Sequence, residues 1–155
     1  MSSTEPLITP ASRPNLLLVE DDEILSTMIA NFLRGRGYHV AVAREAEEAA
    51  ALLELRRHDV LITDLGLDDT GMEGFDLIAQ ARYRWPRMRI LVLSGKSDPE
   101  TVAKCRLRGA TVFLGKPVPL RVLAAALAGL LGRDPDARPV MGPGSSSACG
   151  AGAPP

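Results

Sequence analysis

The chain has 155 residues, 46% hydrophobic and 24% charged, with a net charge of −1 at pH 7. That length suits one domain with one core, and the charge balance gives no reason to expect a nucleic-acid or polyphosphate partner. No apolar run reaches the roughly 18 residues of a membrane span, the N-terminus lacks the basic and apolar regions of a secretory signal, and the two cysteines, Cys105 and Cys149, match neither a disulfide framework nor a metal spacing, so the cytoplasm is the expected compartment.

Residues 1–14, MSSTEPLITPASRP, read as a flexible arm. The first apolar run, NLLLV (15–19), leads straight into Glu20, Asp21 and Asp22. Three stacked carboxylates repel one another unless a cation sits among them or a helix begins there, where the macrodipole favours negative charge. A helix does follow: Ile24, Leu25, Met28, Ile29, Phe32 and Leu33 recur at helical spacing until RGRG stops it. The helix start accounts for Asp22 without any metal.

YHVAVA (38–43) is the second strand-like run, followed by EAEEAAALLELRR, with Ala46, Ala49, Ala50 and Leu53 on one face, acids first and arginines last. DVLITD (59–64) is the third run, and its helix extends from about Phe75 to Trp85, where Pro86 ends it. RILVLS (89–94) precedes a helix that opens at DPE, with Asp98 as N-cap and Pro99 at the first helical position. TVFLG (111–115) precedes the last helix, from Pro119 to Leu131. His39 and His58 read as surface residues at element ends. Residues 132–155, rich in Gly, Pro, Ser and Ala without a period, read as a disordered tail. The folded domain is therefore expected over 15–131.

Strand and helix alternate five times, and several runs lack a period of two, which suits strands buried on both faces. The expected fold class is α/β: a parallel sheet in a three-layer αβα sandwich, (βα)5. Ligands of such sheets sit beyond the carboxyl ends of the strands. There the sequence puts Glu20 and Asp21 after the first strand, Asp64 at the end of the third, Ser94 at the end of the fourth and Lys116 after the fifth. Three carboxylates then converge with a hydroxyl and an ammonium, and the positive partners the acids require are a divalent cation and Lys116.

These residues resemble a known family. Glu20–Asp21, Asp64 in LITDL, Ser94 in LVLSG and Lys116 in GKP, with separations of 43 (64 − 21), 30 (94 − 64) and 22 (116 − 94) residues, resemble the receiver domain of bacterial two-component response regulators over the whole folded region. The resemblance implies a flavodoxin-like five-stranded sheet of order 2-1-3-4-5. It implies Asp64 as phosphoryl acceptor, and Mg²⁺ held by Glu20, Asp21, Asp64 and the backbone carbonyl of Gly66. Lys116, before a cis Pro117, and Ser94 would bind the phosphoryl group, and Phe113 would be the aromatic switch position. One departure is clear: relatives commonly have Pro four and Gly eight residues after the acceptor, whereas here Asp68 stands at the first place and Gly74 opens the third helix ten residues on. The loop is two residues longer and gains Asp68 and Asp69.

The implied function is a stand-alone, phosphorylation-dependent signalling switch that is not itself an enzyme. It would be loaded by a sensor histidine kinase or phosphotransfer protein and would act on a downstream effector protein, or pass the phosphoryl group on in a relay. Neither nucleic acid nor membrane is an expected partner. An aspartyl-phosphate hydrolase would use the same residue types, but it places its nucleophile after the first strand, typically as D-x-D, and carries a cap; here the first strand ends in VEDD. A nucleotide-binding module would need a glycine-rich phosphate loop, and neither G-x-G-x-x-G nor G-x-x-x-x-G-K-[ST] is present. The last helix adds a surface expectation. Leu120, Leu123, Ala124, Leu127, Leu130 and Leu131 form its core stripe, leaving Arg121, Val122, Ala125, Ala126, Ala128 and Gly129 outward. That outer face, nearly uncharged and lined by small residues, is the expected partner or homodimer contact.

Overall fold

The computed structural model describes residues 13–66 and 72–133, with the backbone alone at 72 and 73. The N-terminal arm before residue 13, the loop residues Asp68 and Asp69, and the tail from 134 on, Cys149 included, lie outside the described residues. The elements run β1 (Asn15–Val19), α1 (Glu23–Gly35), β2 (His39–Ala43), α2 (Ala46–Leu55), β3 (Val60–Asp64), α3 (Met72–Arg84), β4 (Arg89–Ser94), α4 (Pro99–Arg108), β5 (Val112–Gly115) and α5 (Leu120–Leu130). The strands form one parallel sheet in the order β2-β1-β3-β4-β5.

Each central strand feeds two cores, which is why its sequence shows no polar–apolar alternation. Leu17 and Val19 of β1, Leu61 of β3, and Ile90 and Val92 of β4 face one side, where Ala49 and Leu53 of α2, Leu77, Ile78 and Ala81 of α3, and Cys105 of α4 cover them. Leu16 and Leu18, Val60 and Ile62, and Leu91 and Leu93 face the other, under Ile29, Ala30 and Leu33 of α1 and Leu123 and Leu127 of α5. Two helices on one face and three on the other make the three-layer sandwich.

Local signals set the helix starts. The Asp22 carboxylate accepts from Leu25 N–H at 3.0 Å, and Asp98 accepts from Thr101 N–H at 3.1 Å and from its hydroxyl at 2.7 Å, so each satisfies a backbone donor that the first turn leaves unpaired. The end of α4 needs glycine, because Gly109 holds φ +119°.

Several boundaries and faces differ from the sequence reading. α3 begins at Met72 rather than near Phe75, because its first turn, Met-Glu-Gly, carries no apolar periodicity. α2 stops at Leu55, so Arg56 and Arg57 follow the helix instead of closing it. Pro119 is the N-cap of α5 and the helix proper starts at Leu120. Ile24 and Met28 stand on α1 but point to solvent, 74% and 51% exposed; they share an i, i+4 line one residue round from Leu25 and Ile29. Ala128 was expected on the outer face of α5 and is buried, since it lies one turn beyond buried Ala124 on a helix packed against both the sheet and α1. His39 is exposed as expected, but His58 is buried. It immediately precedes the approach to a strand covered on both faces and shares that cover.

Candidate functional site

The register of the sheet brings the sequence-selected residues to one edge. Val19 pairs with Thr63, Asp64 with Leu93, and Ser94 with Gly115, so Glu20, Asp64, Ser94 and Lys116 leave neighbouring strands at the same level. Lys116 is tied there by its own backbone, whose N–H donates to the Ser94 carbonyl at 2.7 Å, and the Lys116–Pro117 peptide is cis.

The side chains meet. Lys116 Nζ donates to Glu20 Oε1 at 2.8 Å and to Asp64 Oδ2 at 2.9 Å. Glu20, Asp21 and Asp64 each place a carboxylate oxygen within 4.8 Å of the others'. Their surroundings differ: Glu20 is 2% and Asp64 6% exposed, while Asp21 is open to solvent. Backbone amides complete the frame, with Asp22 N–H donating to Glu20 Oε2 at 3.2 Å and Gly66 N–H to Asp64 Oδ1 at 2.9 Å. The Ser94 hydroxyl oxygen accepts from Lys96 N–H at 3.0 Å; no hydrogen bond joins it to the acids among the described residues. Phe113 is half-buried on β5 opposite Val92 and packs against the α2–α3–α4 core rather than against the acids.

Burial pushes the Glu20 carboxyl above its ordinary range, and the nearby Asp64 charge adds to this; the Lys116 hydrogen bond pulls the other way without cancelling it. Burial would lower the Lys116 ammonium, but its bonds to Glu20 and Asp64 outweigh that and hold it above the ordinary lysine value. The group therefore stays a cation at neutral pH. Crowded carboxylates with one lysine are short of positive charge, and hard oxygen donors in this number suit a divalent cation such as Mg²⁺ or Ca²⁺.

Two contacts of the site were not visible in the sequence. The Gly66 amide donates to Asp64 Oδ1. Gly74 packs so closely that a Cβ there would lie 2.8 Å from Leu65 Cα and 3.2 Å from the Asp64 carbonyl oxygen. Both depend on how the chain turns after β3, which no spacing reveals.

Residues 16–128 match the model of the response regulator receiver domain family. The chain belongs to that family. Among relatives of this receiver, the transcriptional regulatory protein AfsQ1 of Streptomyces coelicolor is 33% identical over 120 residues, covering 77% of this chain and 52% of AfsQ1. A response regulator from Burkholderia pseudomallei, solved with a phosphorylated aspartic acid, calcium ion and citrate, superposes with a TM-score of 0.68 at 32% identity, covering 76% of this chain and 66% of that one. A CheY-like receiver domain protein from Methanospirillum hungatei superposes with a TM-score of 0.74 at 28% identity, covering 78% and 95%. The chain spans between 22% and 60% of the length of the curated relatives it matches. Among the described residues no helix is long and apolar enough to cross a membrane.

Proposed function

We propose that this receiver accepts a phosphoryl group on Asp64 from the phosphohistidine of a sensor kinase or phosphotransfer protein, and that the aspartyl phosphate then alters its contact with a downstream protein. The observation that carries this is the buried Asp64 carboxylate held between the Lys116 ammonium and the Gly66 amide, with two further acids within reach. In the transfer, an Asp64 oxygen forms a bond to phosphorus as the P–N bond to the histidine breaks, and the imidazole departs with the electron pair. A carboxylate is a weak nucleophile toward a dianionic group unless charge is neutralised around both.

Glu20, Asp21, Asp64 and the Gly66 carbonyl would hold Mg²⁺, which supplies charge neutralisation to the transferring oxygens. Lys116 would move from its present pair to a phosphoryl oxygen. Ser94 already accepts one hydrogen bond, so its own proton is available to donate to another phosphoryl oxygen. Phe113, on the edge strand between this site and the face of α4, β5 and α5, would report the change outward. There Val122, 47% exposed, with Ala125 and Gly129, also exposed, would form the partner or homodimer contact. Onward transfer in a relay would use the same acceptor.

Incubation with acetyl phosphate and Mg²⁺, followed by intact-mass measurement, tests the acceptor. One phosphoryl adduct is expected, lost in Asp64→Ala and in excess EDTA. An adduct of undiminished yield in either case would refute the assignment.

A further inference from the structure

Four of the five strands deliver a side chain to the acidic edge of the sheet: Glu20 after β1, Asp64 on β3, Ser94 on β4 and Lys116 after β5. The remaining strand, β2, delivers Arg44. Val19 pairs with Ala43, and Glu20 N–H donates to the Ala43 carbonyl at 3.0 Å, so Arg44 leaves its strand beside Glu20.

The helix dipole does not account for a cation at that place. Arg34, Arg84, Arg106 and Arg108 lie in the last turns of α1, α3 and α4, where positive charge is favoured. Arg57 precedes β3, and Arg87 and Arg89 lead into β4, at the same pole, opposite Asp64. Arg44 stands at the other end, one residue before Glu45, the N-cap of α2, where the dipole disfavours a cation.

The side chain reaches over the turn between β1 and α1. Nη2 donates to the Asp21 carbonyl at 3.4 Å, and Nη1 lies 4.0 Å from Glu23 Oε1. Its backbone is fixed from the other side, where Arg44 N–H donates to Glu48 Oε1 of α2 at 2.9 Å. The turn carries four acids in succession, Glu20 to Glu23. Glu20 and Asp64 are buried, whereas Asp21, Asp22 and Glu23 are exposed, so the Asp21 side is the mouth of the site. Among the described residues, the side-chain cations that engage this acidic run are Lys116, on Glu20, and Arg44. They approach it from opposite edges of the sheet, β5 and β2, with Asp64 on β3 between them.

We infer that Arg44 sets the charge balance at the mouth of the phosphoryl site, weakening the hold on Mg²⁺ and strengthening capture of an anionic phosphoryl donor. This rests on the acceptor and metal roles proposed above. The cation and the donor carry opposite charge and meet in one pocket. A run of acids attracts the first and repels the second, and a guanidinium fixed beside Asp21 shifts both in the opposite sense. It stays protonated throughout the pH range in which proteins fold. At an exposed position the effect is moderate and is screened by salt, over about 10 Å at 0.1 M.

Mg²⁺ alone, titrated into the full chain by calorimetry, gives the first readout. Arg44→Gln should bind it about threefold more tightly than the wild type at low salt, and the two should converge at high salt. The second readout is Asp64 labelling by acetyl phosphate at saturating Mg²⁺. Its initial dependence on donor concentration should fall about threefold in Arg44→Gln at low salt. Arg44→Lys, which keeps the charge, should restore both values. Arg57→Gln, the same loss of charge at the opposite pole, should move neither. A merely structural role would impair metal binding and labelling together, without opposite signs. Mg²⁺ binding unchanged or weaker in Arg44→Gln would overturn the inference, as would labelling unchanged or faster, or equal effects in Arg57→Gln. Each of these leaves Asp64 and the metal standing. A wild type that binds no Mg²⁺ would instead refute the metal reading, and the inference with it.

Discussion

Lys116 is, among the described residues, the one cation bonded to both buried acids, and its reach to Glu20 and Asp64 together decides how the site behaves before any phosphoryl group arrives. Its ammonium occupies oxygens that a divalent cation would use. Lys116→Ala should therefore bind Mg²⁺ at least as tightly as the wild type in calorimetry, yet lose the spectroscopic response to beryllofluoride. Weaker Mg²⁺ binding in the variant would contradict the competition. His58 is the opposite kind of residue, buried without a charge partner. Burial holds its pKa below the ordinary 6.5, against a smaller upward pull from the Arg56 backbone. The unfolded chain takes up a proton near 6.5 while the folded one resists it, so stability is full above that value and falls as pH drops through it toward the folded pKa. Each unit of depression corresponds to about 1.4 kcal/mol. In urea unfolding at pH 7.5 and 5, the wild type should lose more stability than His58→Gln; equal losses would place the ring in a solvated setting.

At the scale of elements, the position of Asp64 rests on the packing of α3 against the chain that leaves β3. Gly74 is the contact point, and a methyl group there would collide with the Leu65 backbone, which cannot swing away as a flexible side chain could. Gly74→Ala should cost about 1–3 kcal/mol, the usual range for overpacking, and should slow acetyl-phosphate labelling of Asp64 several-fold by shifting the turn that carries the Gly66 amide. Chevron analysis and labelling rates would check both effects, and an unchanged labelling rate would separate α3 from acceptor geometry. The outer face of α5 is built differently. Val122, Ala125 and Gly129 are exposed, whereas Ala128 turns inward, so the small-residue strip is narrower than the helical wheel suggested.

The whole molecule has an acidic pole at the carboxyl ends of the strands and an arginine-rich pole at their starts, joined by a sheet buried on both faces. Association through α4, β5 and α5 would join copies along the side between these poles. Ala125→Glu should abolish any beryllofluoride-dependent dimer in light scattering while leaving Asp64 fully phosphorylatable. A wild type that stays monomeric at high micromolar concentration in both states would remove the homodimer and leave the face to another protein.

Alternation of apolar runs with helical patterns, the caps at Asp22 and Asp98, and the acids, serine and lysine at strand ends were legible in the amino-acid sequence alone, because each follows from neighbours a few residues apart or from the end of a strand in a parallel sheet. Such local rules settle which residues leave the sheet at the same edge. They do not settle which atoms then meet. That Lys116 bridges Glu20 and Asp64, that the Gly66 amide holds the acceptor, that Gly74 touches the Leu65 backbone and that His58 is buried all depend on distances between segments far apart in the chain. The same holds for charge. Composition sums to −1, whereas the parallel topology brings Glu20, Asp21 and Asp64 together at the carboxyl ends of the strands, a local excess of negative charge that no count of charges contains.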